Sequence, residues 1–352
     1  MTDNLVEMTK ELIETKTLGE VSKILNLAPG TVKRWIMKEI VPPAYRFDLM
    51  KMAGKEIDYT AYDFKEKDQF YTPEETANEC YTTFKNVIEG YGEDETVYTY
   101  IEPSAGGGSF LKALPKERAI GMDIEPKGQE IMKQDYLNWY PSDRKCDRKC
   151  DRKRYVVFGN PPFGLRGHMA LRFINHSDFA DYVCFILPQL FESDGKGVPR
   201  KRVQGFNLIY SKRVDSTFNY PDGREVGVNC IFQIWSKNHE SPPDYKLEKK
   251  ESEEVKIYSL SDGGTPSSTR NKKMFDKCDV YLPSTCFGKE KMKKYDNFRE
   301  LPGCRGYGVV FLKERETNIM KSERIKWNEV AFLSTNGAYN LRSSQIIKEF
   351  KQ

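Results

Sequence analysis

The chain has 352 residues and 40.9 kDa, with 38% hydrophobic and 31% charged side chains and a mean hydropathy of -0.68, enough for two domains and a core that needs no disulfide staples. Its apolar runs, such as Tyr182–Leu187, fall far short of the ~20 residues of a membrane helix. The Met1–Leu5 start has neither the basic nor the apolar region of a secretory signal, and the eight cysteines and three histidines (His168, His176, His239) form no Cys-x-x-Cys or His-x-x-x-His pattern, so a reducing, cytoplasmic setting with no membrane and no metal is expected. The net charge is +4, and Asp143–Arg154 (DRKCDRKCDRKR) carries all of it: without its seven basic and three acidic side chains, the 56 Lys+Arg and 52 Asp+Glu become 49 of each. This repeat reads as an expanded surface loop, with a phosphate-touching basic arm as the alternative.

Residues 1–60 read as wholly helical. Leu18, Val21, Ile24 and Leu25 share one face of a short helix, and Asn26-Leu27-Ala28-Pro29-Gly30 breaks it. Thr31 then caps or opens a second helix with Val32, Trp35 and Ile36 inward and Lys33, Arg34 and Lys38 on the other face. This spacing is that of a helix-turn-helix, whose second helix enters the major groove of DNA, and the alternative is an ordinary helical hairpin.

Residues 66–240 alternate strands with helices. Val97–Ile101, Arg118–Met122, Tyr155–Phe158 and Tyr182–Leu187 are short apolar runs rich in β-branched and aromatic residues, as buried parallel strands are, and Val228–Trp235 is a further strand. The predicted fold class is α/β, a Rossmann-like doubly wound sheet. Residues 241–273 read as a polar linker with Ser241-Pro242-Pro243 and Asp262-Gly263-Gly264 breaks, and residues 274–352 as a smaller C-terminal extension. In that extension Lys289, Lys291, Lys293, Lys294, Arg299 and Arg305 lie among Phe287, Tyr295, Phe298 and Tyr307, which suits a polyanion surface or a solvated charged face.

The chemistry concentrates at strand ends. Glu102-Pro103-Ser104-Ala105-Gly106-Gly107-Gly108 follows the first strand, and its glycines let the backbone approach a ligand. Asp123 ends the next strand, where a doubly wound fold places a carboxylate on ribose hydroxyls, and Asp135 follows as an acceptor for an exocyclic amine. Asn160-Pro161-Pro162-Phe163 closes another strand. Two prolines cannot continue a central strand, so they fix a rigid turn that aims the Asn160 side chain and the Pro161 carbonyl at one –NH2 group, while Phe163 offers a flat face for stacking.

In this order the motifs resemble those of class I S-adenosylmethionine-dependent methyltransferases of the DNA adenine-N6 group, in the gamma-type arrangement. The resemblance covers residues 66–240. It implies that Tyr71, Thr72 and Pro73 close over the methionine part of the cofactor. It also places Glu102, Pro103, Ala105, Gly106 and Gly108 in the cofactor loop, Asp123 and Ile124 at the ribose, and Asp135 and Tyr136 at the cofactor adenine. Asn160, Pro161, Pro162 and Phe163 then form the catalytic element, with Asn160 also beside the cofactor, and Phe218 and Tyr220 meet the extruded base. Three consecutive glycines replace the family's usual alternation of a small residue with Gly. The implied activity is transfer of a methyl group to the N6 amine of a flipped adenine in DNA, in a bacterium, phage or virus, with a restriction endonuclease as a possible partner. An RNA adenine methyltransferase and a DNA-binding regulator with an inactive methyltransferase fold are the alternatives.

Overall fold

The computed structural model describes residues 4–145, 153–193, 198–246, 252–265, 268–333 and 337–350. Most of the DRKC repeat, with Cys146 and Cys150, lies outside them. On its flanks, Asp143 accepts hydrogen bonds from the Tyr155 hydroxyl (2.7 Å) and the Lys153 N–H (3.0 Å).

Four helices open the chain: α1 (Leu5–Thr15), α2 (Leu18–Ile24), α3 (Pro29–Lys38) and α4 (Arg46–Met52). A capping box starts α2, because Thr17 accepts from the Glu20 N–H while the Glu20 carboxylate accepts from the Thr17 N–H. The helices close on their own apolar cluster, which includes Leu12, Val21, Leu25, Val32, Trp35 and Leu49. Two details differ from the periodicity. Ile24 is 41% exposed, because the helix ends there and Leu25 takes the inward position. The third helix starts at Pro29 rather than Thr31, since proline's fixed φ and missing N–H suit the first helical turn. Lys33, Arg34 and Lys38 are exposed on α3, as expected, and Ile36 is half-buried.

A long helix, α5 (Glu74–Gly90), precedes the strands β1 (Tyr98–Glu102), β2 (Ala119–Asp123), β3 (Ile131–Lys133), β4 (Arg154–Gly159) and β5 (Tyr182–Pro188), with α6 (Ser109–Ala113) and α7 (His168–His176) between them. Further along come β6 (Asn207–Val214), the hairpin of β7 (Thr217–Asn219) and β8 (Glu225–Gly227), and β9 (Cys230–Ser236). The large sheet has the order β3-β2-β1-β4-β5-β9-β6, and the pairs from β3 to β5 are all parallel. This is the Rossmann-like α/β architecture. The strand order reverses between β1 and β4, which puts a topological switch point at their carboxyl ends. Tyr98, Tyr100, Phe158 and Tyr182 pack edge-to-face with Phe84 or one another across β1, β4, β5 and α5, with no exposure.

The chain divides into two compact units: residues 1–186 with 216–227 and 234–238, and residues 187–215 with 228–233 and 239–352. In the second unit, residues 241–273 are not uniformly irregular. Val255–Ser261 forms β10, which pairs antiparallel with β13 (Arg305–Phe311), as does β11 (Val280–Pro283). A second small sheet joins β12 (Thr285–Phe287), β14 (Phe332–Leu333) and β15 (Ala338–Asn340), and the helices are α8 (Arg315–Arg324), α9 (Trp327–Val330) and α10 (Ser343–Phe350). Their core includes Val280, Val309, Trp327, Ile346 and Phe350. Lys289, Lys291, Lys293, Arg299 and Arg305 are exposed, but Phe298 is buried against Phe275 (centroids 3.8 Å apart) and Lys294 pairs with Asp296 and Glu323. Among the described residues no helix is long and apolar enough to cross a membrane, and no cluster of His, Cys, Asp or Glu suits a metal ion.

Candidate active site at the switch point

Glu102, Asp123 and Asn160 stand at or just past the carboxyl ends of β1, β2 and β4. These strands are hydrogen-bonded neighbours, with Glu102 opposite Gly121 and Ile101 opposite Val157. Topology therefore gathers three residues that are far apart in sequence.

The Asn160 amide is oriented by one bond. Its Nδ2 donates to Thr72 Oγ1 (3.2 Å), and its backbone carbonyl accepts from Ser104 Oγ (3.1 Å). Asn160 Oδ1 is buried with no hydrogen-bond partner among the described residues. A buried acceptor without a donor costs ~1–3 kcal/mol and calls for a ligand or an explanation. The turn beyond it is held by Asp68, whose carboxylate accepts from the Gly164 N–H (2.7 Å). Burial raises the Asp68 carboxyl, against the Gly164 and Phe163 N–H groups and His168, which lower it. Asp68 also adopts a left-handed φ of 53°. The sequence places Asp68 at the start of the aromatic-Thr-Pro stretch Asp68–Pro73 but gives it no role of its own.

Glu102 is 2% exposed, and its Oε2 has no partner among the described residues. Burial raises its carboxyl well above the ordinary value and the charge of Asp123 adds to this, against a hydrogen bond from the Leu111 N–H. Asp123 accepts from the N–H groups of Gly106 and Glu125, both at 2.8 Å. The glycine loop is pressed under Tyr71: Gly106 has a φ of 49°, and a Cβ there would lie 3.1 Å from the Tyr71 ring. Gly108, with a φ of 81°, caps α6. Tyr71 is tied to the β7 end by paired backbone bonds with Asn219 (2.7 and 3.0 Å).

Not every expected residue meets the others. Thr72 is buried and bonds Asn160, while Pro73 caps α5 and is half-buried. Phe163 is only 5% exposed, so its ring is part of the core rather than an open stacking face. Tyr136 is 1% exposed, bonded to Ser177 (2.6 Å) and packed on Phe173 and His176, so its side chain belongs to the core as well. Phe218 is buried at 1% exposure. Tyr220 instead packs at a tilt against Phe64 (centroids 4.6 Å apart) and Phe70 (5.4 Å), with Arg224 over the Phe64 and Tyr220 rings, an aromatic and cationic group that the sequence does not point to. Asp135 pairs with Lys51 of α4 (2.6 Å), an unforeseen contact.

No protein-family model matches the chain, and no curated protein sequence does. Solved structures to which the chain shows some similarity include a protein assigned as an RNA methyltransferase from Pyrococcus horikoshii (18% identity, TM-score 0.34, covering 48% of this chain and 86% of that one). Another is a modification subunit assigned to a type I restriction enzyme from Vibrio vulnificus (12%, 0.33, 70% and 60%). A third comes from a type I restriction-modification system studied for its complex assembly and conformational transition (12%, 0.32, 65% and 59%). The chain spans about three fifths of the length of these last two.

The site's chemistry fits S-adenosylmethionine. Glu102 supplies a buried acceptor with no partner among the described residues, the Gly106–Gly108 loop presents backbone rather than side chains at the end of the first strand with the Tyr71 ring packed on it, and Asp123 lies at the second strand end.

Proposed function

We propose that this chain is an S-adenosylmethionine-dependent DNA adenine-N6 methyltransferase. The observation that carries the reading is the free, buried Oδ1 of Asn160, held in place by Thr72 in a turn stiffened by two prolines. Asn160 Oδ1 and the Pro161 carbonyl accept hydrogen bonds from the two N–H groups of a substrate –NH2, one of whose protons is lost to solvent once the nitrogen has gained the methyl and the thioether has left. The two hydrogen bonds pull the nitrogen lone pair out of conjugation with the ring and point it at the methyl donor. S-adenosylmethionine, when bound, supplies the electrophilic methyl. Glu102 is the acceptor for its amino group and Asp123 for its ribose. Alignment of this kind is worth up to ~7–11 kcal/mol of the barrier. An adenine inside a duplex is out of reach, so the base is extruded at a cost of a few kcal/mol, and the Tyr220 group offers aromatic surface at that point.

Residues 1–60 serve in this reading as the DNA-reading helix-turn-helix, with Lys33, Arg34 and Lys38 of α3 on phosphates or base edges, and residues 274–352 as the target-recognition part. The test is expression in a host free of adenine methylation, followed by genome-wide mapping of modified adenines. N6-methyladenine at one recurring sequence, absent with Asn160→Ala, supports the reading. Modification of transcripts alone moves the substrate to RNA, and no modification of either supports an inactive fold.

A further inference from the structure

A cavity of about 480 Å³ lies beside the carboxyl ends of β2 and β3, within the size range of small-molecule sites. One side is Ile124, Glu125, Gln134 and Asp135, the residues that follow these strands, and the other includes Lys51 and Tyr59 from the N-terminal sixty residues. The Gln134 N–H bonds the Asp123 carbonyl (2.9 Å), which ties this cavity to the end of β2.

Asp135 is held by three donors. Lys51 Nζ (2.6 Å) and Asn138 Nδ2 (3.2 Å) reach Oδ2, and the Leu137 N–H reaches Oδ1 (3.1 Å). A carboxylate offers about four lone-pair directions, so about one remains, on Oδ1. Tyr59 lines the same cavity as Lys51. Burial works against the Lys51 charge, but the hydrogen bond and charge of Asp135 outweigh it and raise the amine's pKa above that of ordinary lysine, so the cation persists at neutral pH.

On the cofactor reading above, we propose that the N-terminal helical segment completes the adenine end of the cofactor cleft, with Lys51 as the positioning residue that aims Asp135 at the exocyclic amine of the purine. The remaining acceptor on Asp135 suits an amino group. A 6-oxo purine would set oxygen against oxygen there. Without Lys51 the Asp135 side chain, 21% exposed, keeps the Leu137 N–H and Asn138 donors but loses its charged partner, so water competes for Oδ2 and the aim of Oδ1 is less fixed. Recognition of the purine amine thus depends on a residue outside the catalytic sheet, carried by the same four-helix segment that contains α3.

The experiment is calorimetric binding of S-adenosylhomocysteine and S-inosylhomocysteine, which differ in that amine, to the full-length wild type, Lys51→Met and Lys51→Arg. The wild type is expected to prefer the adenosyl ligand by at least about tenfold, as sites built to bond a polar group discriminate. Lys51→Met should lose most of that preference by weakening the adenosyl ligand and not the inosyl one, and Lys51→Arg should keep it. An unchanged ratio in Lys51→Met, whether both ligands weaken equally or neither does, overturns the inference while leaving the cofactor reading intact. A wild type that binds neither ligand overturns the cofactor reading itself, and this inference with it.

Discussion

Thr72→Val separates orientation of the catalytic amide from cofactor binding. Valine matches threonine in shape but removes the hydrogen-bond partner that Asn160 Nδ2 has among the described residues, an acceptor at 3.2 Å in a buried setting. A neutral hydrogen bond contributes ~0.5–1.5 kcal/mol net, and a stranded buried donor costs ~1–3 kcal/mol. With that bond gone, the amide is free to turn and present its NH2 instead of Oδ1 to the substrate amine. A penalty of ~1–2 kcal/mol on the reactive orientation converts to a fall of about 5- to 30-fold in the methyl-transfer rate. Single-turnover transfer to a duplex substrate measures this, and calorimetry with S-adenosylhomocysteine measures affinity alongside. Thr72→Ser keeps the hydroxyl and should stay within about threefold of the wild-type rate, a difference under ~1 kcal/mol. If Thr72→Val transfers methyl at the wild-type rate, or loses cofactor affinity in proportion to its rate, the orienting role is refuted.

Three further outcomes are expected. Burial and the charge of Asp123 raise the folded-state pKa of Glu102, so the native protein holds this proton more tightly than the unfolded chain, and stability falls as pH rises from the ordinary carboxyl range through the raised value. Glu102→Gln removes that penalty: its thermal midpoint should exceed the wild type's at pH 8 and match it near pH 4, and equal midpoints at both pH values would contradict the burial argument. Gly106→Ala places a Cβ 3.1 Å from the Tyr71 ring at a φ of 49°, and urea unfolding should show a loss of ~1–2 kcal/mol from the backbone conformation alone, with Tyr71→Ala relieving only the steric part. Lys33→Glu with Arg34→Glu on the exposed face of α3 should weaken duplex binding and lower the slope of log affinity against log salt by about one for each lost phosphate contact, and an unchanged slope removes α3 from the DNA interface.

The parallel strands were legible because each is buried on both faces and so reads as an apolar run. Tyr182–Leu187 lies inside β5, and Tyr155–Phe158 inside β4. The Asn160 turn was legible for the opposite reason, because two prolines after an apolar run leave the chain few ways to continue. Strand β10 was hidden, since only Val255 and Leu260 are buried in it and the composition of its surroundings is polar. The start of α3 was missed because a threonine cap and an N1 proline compete within three residues. Asp68 opens the Tyr71-Thr72-Pro73 stretch without any local sign of its role, and Lys51 carries no local signal at all. One is a polar residue in a loop and the other a lysine on a charged helix, and their significance comes from partners far along the chain, Gly164 and Asp135. Tyr136 and Phe163 show the reverse: their positions follow the motifs, but an aromatic ring beside a site still gains more from joining the core than from facing water.

The most direct test of the central claim is transfer of a labelled methyl group from S-adenosylmethionine to duplex DNA by the wild type and by Asn160→Ala, with S-adenosylhomocysteine affinity measured on both. The account predicts label on adenine N6 with the wild type, none with the variant, and similar affinities. Label on any other atom, or transfer by Asn160→Ala at the wild-type rate, would contradict it.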